Sequence, residues 1–389
     1  MAAKLRLAAG SGTQPRRPGG PPVPTLQRAA GGRHPANYPA RATVLFAMPD
    51  LTPLSQLGEF GLIGRLQRAI TLGQPSTVLG IGDDAAILAP PPGQEVVVST
   101  DLLVEGVHFD LTFAPLKHLG YKAVAVNVSD VAAMLATPTQ IVVGLSVPSR
   151  FSVEAIEELY AGMRLACEAY GVDLVGGDTT GSRAGLVISV TALGLAEAGK
   201  AVRRSGGKPT DILCVSGDLG GAYLGLQVLE REKQAYLADP ETQPELDNYN
   251  YVVQRQLKPE ARLDIVHELR ELGVHPTSMI DISDGLASEV RHLCVASGTG
   301  ARVFSEYLPV ANPTLEAAAE FNLDPLTAAL NGGEDYELLF TIPVTEHAKI
   351  KNHPDITVIG HLTEKSDGVN LITKGGQAVP LQAQGFTHF

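Results

Sequence analysis

Several apolar runs along the chain end in the same way: β-branched residues give way to Gly, Ser or Thr and then to Asp. Thr77–Leu79 leads into Gly80-Ile81-Gly82-Asp83-Asp84, and Val96–Val98 into Ser99-Thr100-Asp101. Leu174-Val175 leads into Gly176-Gly177-Asp178-Thr179-Thr180, and Met279-Ile280 into Asp281-Ile282-Ser283-Asp284-Gly285. Short runs bounded this way read as buried strands that end in loops carrying chemistry. Between them the period is helical. Ser152 can cap a helix with Ile156, Leu159, Met163 and Tyr170 on one face, stopped by Gly171. Leu257–Leu272 reads as another, with Pro259 near its start and Gly273 after its end. Asp284 can cap a third, burying Leu286, Val290 and Leu293. Strands mixed with helices give an α/β (α+β) class. A boundary falls near Ala196–Arg203, and Asp239–Asn250 reads as an exposed insertion.

The stretch Tyr121–Leu135, YKAVAVNVSDVAAML, is almost wholly apolar around Asn127, Ser129 and Asp130. As a helix it places Asn127 and Asp130 on one face. An unpaired carboxylate there would cost roughly several kcal/mol. A cap or an Arg could meet it. A metal ion is the preferred reading, because the other Asp-tipped loops need a meeting point.

Composition narrows the classes. A formal charge of −12 argues against general nucleic-acid binding, and no apolar run approaches the roughly 18–20 residues of a membrane helix. Cys167, Cys214 and Cys294 each sit in apolar stretches without paired spacing, which reads as buried thiols in a reducing compartment. Residues 1–47 hold seven basic and no acidic side chains among Gly and Pro, and are expected to be a disordered extension without function.

The segment from Gly80 to Ala85 formally fits a dinucleotide fingerprint, but Pro90-Pro91-Pro92 leaves little room for its helix. Two carboxylates would also repel a pyrophosphate unless a divalent cation lay between them. No Gly-x-x-x-x-Gly-Lys-Ser/Thr loop is present. His108, the Gly217–Ala222 turn, Arg203-Arg204 and Gly332-Gly333-Glu334 each have a plain structural reading beside a ligand-binding one. What stands out is an Asp-rich oxygen set of Asp83, Asp84, Asp101, Asp130, Asp178, Asp281 and Asp284, which suits Mg²⁺ better than Zn²⁺.

The ordered motifs IGDDAA, STDLLVEGVHF, KAVAVNVSDVAAM, LVGGDTT, RRSG, DISDGL and NGGEDYELLF resemble the thiamine-monophosphate kinase family, over roughly Gly58 to Phe389. That family belongs to the aminoimidazole ribonucleotide synthetase-like superfamily. The resemblance implies a two-domain fold: an N-terminal ATP- and Mg-binding domain over 48–196, whose sheet forms a homodimer, and a C-terminal α/β domain over 197–389. It implies ATP-dependent phosphorylation of thiamine monophosphate to thiamine diphosphate, with several Mg²⁺ ions, in the cytoplasm. Carried over by motif, Asp83, Asp84, Ser99, Thr100, Asp101, Asp130, Asp178, Asp281 and Asp284 would hold magnesium. Tyr160, Gly177, Asp178, Arg204 and Ser283 would touch ATP, and His108, Glu334 and Phe386 would touch thiamine monophosphate. Thr387 departs from the Asp or Asn expected after Phe386. An ionised acceptor phosphate requires no general base, so direct in-line transfer with charge neutralisation is expected. The rival readings are a purine-pathway synthetase, a selenophosphate synthetase lacking its N-terminal Cys, a hydrogenase-maturation relative lacking its C-terminal Cys, and an inactive nucleotide-binding regulator.

Overall fold

The structure is a computed structural model that describes residues 51–383 apart from Thr242. The basic extension over 1–47 therefore lies outside the described residues. The first half runs α1 (Leu54–Gln67), β1 (Thr77–Leu79), β2 (Ile87–Leu88), β3 (Gln94–Val104), α2 (Leu116–Ala132), β4 (Thr137–Pro148), α3 (Val153–Tyr170), β5 (Asp173–Ser182) and β6 (Val187–Glu197). The second runs β7 (Ile212–Ser216), α4 (Gly221–Ala238), α5 (Asn250–Leu257), α6 (Leu263–Glu271), β8 (Ser278–Asp281), α7 (Leu286–Ser297) and β9 (Gly300–Phe304). It closes with α8 (Asn312–Glu320), α9 (Pro325–Asn331), β10 (Leu338–Ile342), α10 (His347–Ile350), β11 (Ile356–Thr363), β12 (Val369–Ile372) and β13 (Ala378–Pro380).

β3, β6, β4 and β5 form a four-stranded sheet in that order, antiparallel except for β4–β5. Alternation along each strand divides its faces. One face, with Ile141, Val143, Leu145, Ile188 and Val190, is buried in the core shared with α2 and α3. The other leaves Val96, Val98 and Leu102 exposed at 48%, 60% and 59%. α2 and α3 lie backbone to backbone: a Cβ on Gly120 would stand 1.9 Å from Leu159 O, and one on Gly162 1.8 Å from Lys117 O. This close contact, added to the sheet beneath, buries every α2 side chain from Leu119 to Ser129, which accounts for the apolar stretch seen in the sequence.

The second half carries a seven-stranded sheet, β13-β12-β9-β11-β7-β10-β8. Its β8 and β10 strands and α6 share a continuous core with α2 and α3 through Met279, Phe340, Ile265 and Leu269. α2 therefore runs along the seam between the two sheets.

Several local expectations hold. Ser152 Oγ accepts from Ala155 N at 3.2 Å to cap α3, and Gly171 ends it at φ 63°. All three cysteines are free and buried. No described helix is long and apolar enough to cross a membrane. Others need correction. Ser99–Asp101 and Gly176–Thr180 lie inside β3 and β5 rather than in loops after them. The helix expected over Leu257–Leu272 starts only at Leu263, as α6: Leu257 is the last residue of α5, Lys258 has left helical geometry at φ −139°, and Pro259 lacks the N–H a continuous helix requires. The N-cap of α7 is Gly285, and no side chain caps it, so Asp284 is not spent in that role.

Candidate active site

Three strand or helix positions converge at the seam. Ser99 and Asp101 lie on the α2-facing side of β3 and meet one turn of α2. Asn127 Oδ1 accepts from Asp101 N at 3.1 Å, and the Asp130 carboxylate accepts the Ser99 hydroxyl. Asp281, the last residue of β8, reaches the same turn from the other half, where its carboxylate accepts from Ser129 Oγ at 2.7 Å. Asn127, Ser129 and Asp130 thus bind three different backbone or side-chain partners from a single helical turn.

The electrostatics mark Asp101, Asp130 and Asp281 as a repelling cluster. Burial, reinforced by the Asp130 charge, pushes the Asp101 carboxyl up to about 6. Burial and then Asp130 likewise raise Asp281, which is 4% exposed, while its bond from Ser129 opposes the rise. Among the described residues, no group of three or more His, Cys, Asp or Glu side chains is set so that it could hold a metal ion. The donor chemistry nonetheless fits magnesium. The donors are all oxygens, and the carboxylates are destabilised by one another in a way a divalent cation would relieve.

The remaining candidates are more dispersed. Asp83 and Asp84 are exposed in the loop between β1 and β2, where Asp83 Oδ1 accepts from Asp84 N at 2.8 Å. Asp178 is exposed on β5 and accepts from Thr179 N at 2.9 Å. Gly177 beside it is required by packing, since a Cβ would stand 2.1 Å from Val143 O. Asp284 is exposed one turn beyond Asp281. Arg204 is exposed, and its carbonyl accepts from Ser297 Oγ at 3.2 Å. The carbonyl of Ser283 accepts from Glu334 N at 2.7 Å. His108 accepts from Val104 N through Nδ1 at 3.0 Å, beyond the end of β3.

Two candidates stand apart from this cluster. Thr100 alternates to the opposite face of β3 from Ser99 and Asp101, where its hydroxyl bonds Val190 O at 3.1 Å and Thr191 Oγ1 at 3.0 Å. Its side chain therefore cannot join theirs. Tyr160 is 6% exposed and packs within the core on α3. Phe386 lies outside the described residues.

The GGEDYEL segment shows what pattern reading missed. Glu334 is held by buried Lys122 of α2 at 3.0 Å and by Gln256 Nε2 of α5 at 2.6 Å. Asp335 accepts from Gly220 N at 2.8 Å and so occupies the start of α4 at the Gly217–Ala222 turn. Glu337 is bound by Arg255 at 2.9 Å and Arg262 at 2.6 Å. Buried Glu289 accepts from Asp284 N at 3.2 Å, and burial pushes its carboxyl up to about 8. The partners of Glu334, Asp335 and Glu337 lie far off in the sequence, so spacing gave no signal for them.

Known proteins align with this arrangement. The family described as AIR synthase related protein, N-terminal domain, matches residues 82–196. A Bacillus subtilis thiamine-monophosphate kinase is 34% identical over 86% of this chain and 100% of its own length. Among solved structures, thiamine-monophosphate kinase from Stenotrophomonas maltophilia aligns with a TM-score of 0.69 at 34% identity, covering 83% of this chain and 98% of that one. AaThiL complexed with AMPPCP and TMP aligns with a TM-score of 0.67 at 34% identity, covering 86% and 98%.

Proposed function

The chain belongs to the thiamine-monophosphate kinase family, and on that premise we propose that it moves the γ-phosphoryl group of ATP directly onto thiamine monophosphate, assisted by magnesium, at the seam where β3, α2 and β8 meet. The observation that carries this reading is the convergence of Asp101, Asp130 and Asp281 on one turn of α2. A repelling carboxylate cluster at this position has an evident use if cations accompany two anionic substrates. Asp101, Asp130 and Asp281, with Ser99, would hold magnesium, and the exposed Asp83, Asp84, Asp178 and Asp284 would complete the set. When bound, the metal supplies charge neutralisation between acceptor phosphate and ATP.

The chain's own groups do the rest. The acceptor phosphate is ionised at neutral pH, so no side chain has to remove a proton. Gly177, Asp178, Arg204 and Ser283 are assigned to ATP. His108, Glu334 and Phe386 are assigned to thiamine monophosphate, with Glu334 fixed by Lys122 and Gln256. The uncovered face of the four-stranded sheet, with Val96, Val98 and Leu102, fits a second copy of the chain, because apolar side chains aligned on one sheet face gain by burial. The buried free thiols accord with work in the cytoplasm.

Purified protein with ATP, MgCl₂ and thiamine monophosphate should form thiamine diphosphate and ADP in equal amounts, and EDTA should stop both. ATP hydrolysis without thiamine diphosphate would overturn the reading.

A further inference from the structure

The segment that joins β3 to α2 carries His108 and is tied down on both sides of it. Before it, Glu105 accepts from Arg150 Nη2 at 2.6 Å and from Leu186 N at 2.7 Å, both in the first half of the chain. After it, Asp110 is bound from the second half, 123 positions away, where Lys233 Nζ of α4 donates to its Oδ2 at 2.7 Å. The same ammonium lies 5.7 Å from the centre of the Phe113 ring and 3.3 Å from Glu230. Asp110 Oδ1 meanwhile accepts from Thr112 N at 2.8 Å and Thr112 Oγ1 at 2.7 Å, so one carboxylate folds its own turn and receives α4. The bond from Lys233, more than those from Thr112, holds that carboxyl down at about 2, and it is charged wherever the protein works. The Lys233 and Asp110 side chains are 20% and 31% exposed, so water screens the pair and its strength is modest.

α4 carries this hold onward. It packs against α5 so closely that a Cβ on Gly225 would stand 2.0 Å from Val252 O. Leu224, Val228, Tyr249 and Val252 are buried in the core at this contact, and Arg231 donates to Tyr249 Oη at 3.1 Å. α5 in turn reaches Glu334, whose carboxylate accepts from Gln256 Nε2 at 2.6 Å. Lys122, which also binds Glu334, donates to Gln256 O at 3.3 Å. One close-packed helix pair is therefore bonded at one end to the His108 segment and at the other to Glu334. We infer that α4–α5 is a strut that sets the thiamine monophosphate site: Lys233 and Gln256 are positioning residues through which it fixes the His108 segment and Glu334 relative to each other. This rests on the assignment of His108 and Glu334 to that substrate. The groups assigned to ATP stand elsewhere, Gly177 and Asp178 on β5, Arg204 before β7 and Ser283 after β8, so the strut bears on the acceptor rather than on ATP.

Lys233→Met keeps the apolar stem beside Phe113 and removes only the charge. With ATP, MgCl₂ and thiamine monophosphate, KM for thiamine monophosphate should rise about two- to fivefold, while KM for ATP moves less than about 1.5-fold and Tm less than about 2 °C. Lys233→Arg still reaches the carboxylate and should restore the wild-type KM. Gln256→Leu, which gives up a bond to a charged group, should raise the same KM about tenfold. Either loss frees one side of the site from the other, so the double variant Lys233→Met/Gln256→Leu should lose little more than Gln256→Leu alone. A wild-type KM for thiamine monophosphate in Lys233→Met overturns the inference, as do equal rises in both KM values or a fall in Tm without a selective rise. Fully multiplicative losses in the double variant overturn the single strut. A wild-type chain unable to make thiamine diphosphate would overturn the kinase reading and this inference together, whereas an active wild type with an indifferent Lys233→Met overturns the inference alone.

Discussion

Asp130→Asn should improve the metal-free protein while destroying its activity. Asp130 accepts the Ser99 hydroxyl and repels Asp101 and Asp281. The amide keeps the side chain's size and can still accept that bond, so packing survives and only the charge is lost. Moving Asp101 from 3.8 to about 6 corresponds to a cost of about 3 kcal/mol in its ionised form at neutral pH. Screening at this half-buried position removes roughly half of that, and burial carries the larger share of the remainder. Deleting the Asp130 charge therefore returns about 0.5 kcal/mol at Asp101, and a similar relief at Asp281 brings the total to about 1 kcal/mol, or about 2 °C in Tm. The sign is set by linkage. Asp101 has a raised folded pKa, so the native state binds the extra proton and stability falls as pH rises from about 4 to about 6. In EDTA the variant should melt higher than wild type at pH 7, with the gap closing near pH 4. In MgCl₂ wild type should gain stability and the variant should not, and turnover should drop at least about 100-fold. A variant that melts lower than wild type in EDTA at pH 7, or that keeps wild-type turnover, would refute the reasoning.

Lys122→Met leaves Glu334 with Gln256 alone. It should raise KM for thiamine monophosphate about tenfold and cost about 1–3 kcal/mol by chemical denaturation. Gly333→Ala places a Cβ 2.6 Å from Ser283 O at φ 71° and should destabilise by about 2–4 kcal/mol, read as a lower denaturant midpoint. Val98→Asp puts a charge on the open sheet face, and sedimentation should show a dimer for wild type and a monomer for the variant.

The elements legible in the sequence were those whose signals are local. Ser152 and Gly171 bracket α3 because capping and the left-handed stop are decided within a turn. Asn127 and Asp130 face β3 together because three residues along a helix return to one side. The same logic failed inside strands. Ser, Thr and Gly at 99–101 and 176–180 looked like loops, yet both segments lie in edge strands paired along one side, and pairing supplies the backbone bonds that a loop reading assumed were absent. Strand alternation then separated Thr100 from its neighbours. Arg255, Arg262 and Lys122 could not be found by spacing, because their partners Glu337 and Glu334 are brought to them only by the closing of the second sheet against α2.

The central claim is direct transfer between two bound phosphates at the α2 seam, and ³¹P observation of a single reaction mixture tests it. With protein, ATP, thiamine monophosphate and MgCl₂ together, the paired resonances of thiamine diphosphate should grow in step with those of ADP. They should be absent when thiamine monophosphate is omitted, and protein incubated with γ-labelled ATP alone should carry no label. Inorganic phosphate appearing in place of thiamine diphosphate, or labelled protein before acceptor is added, would contradict the account.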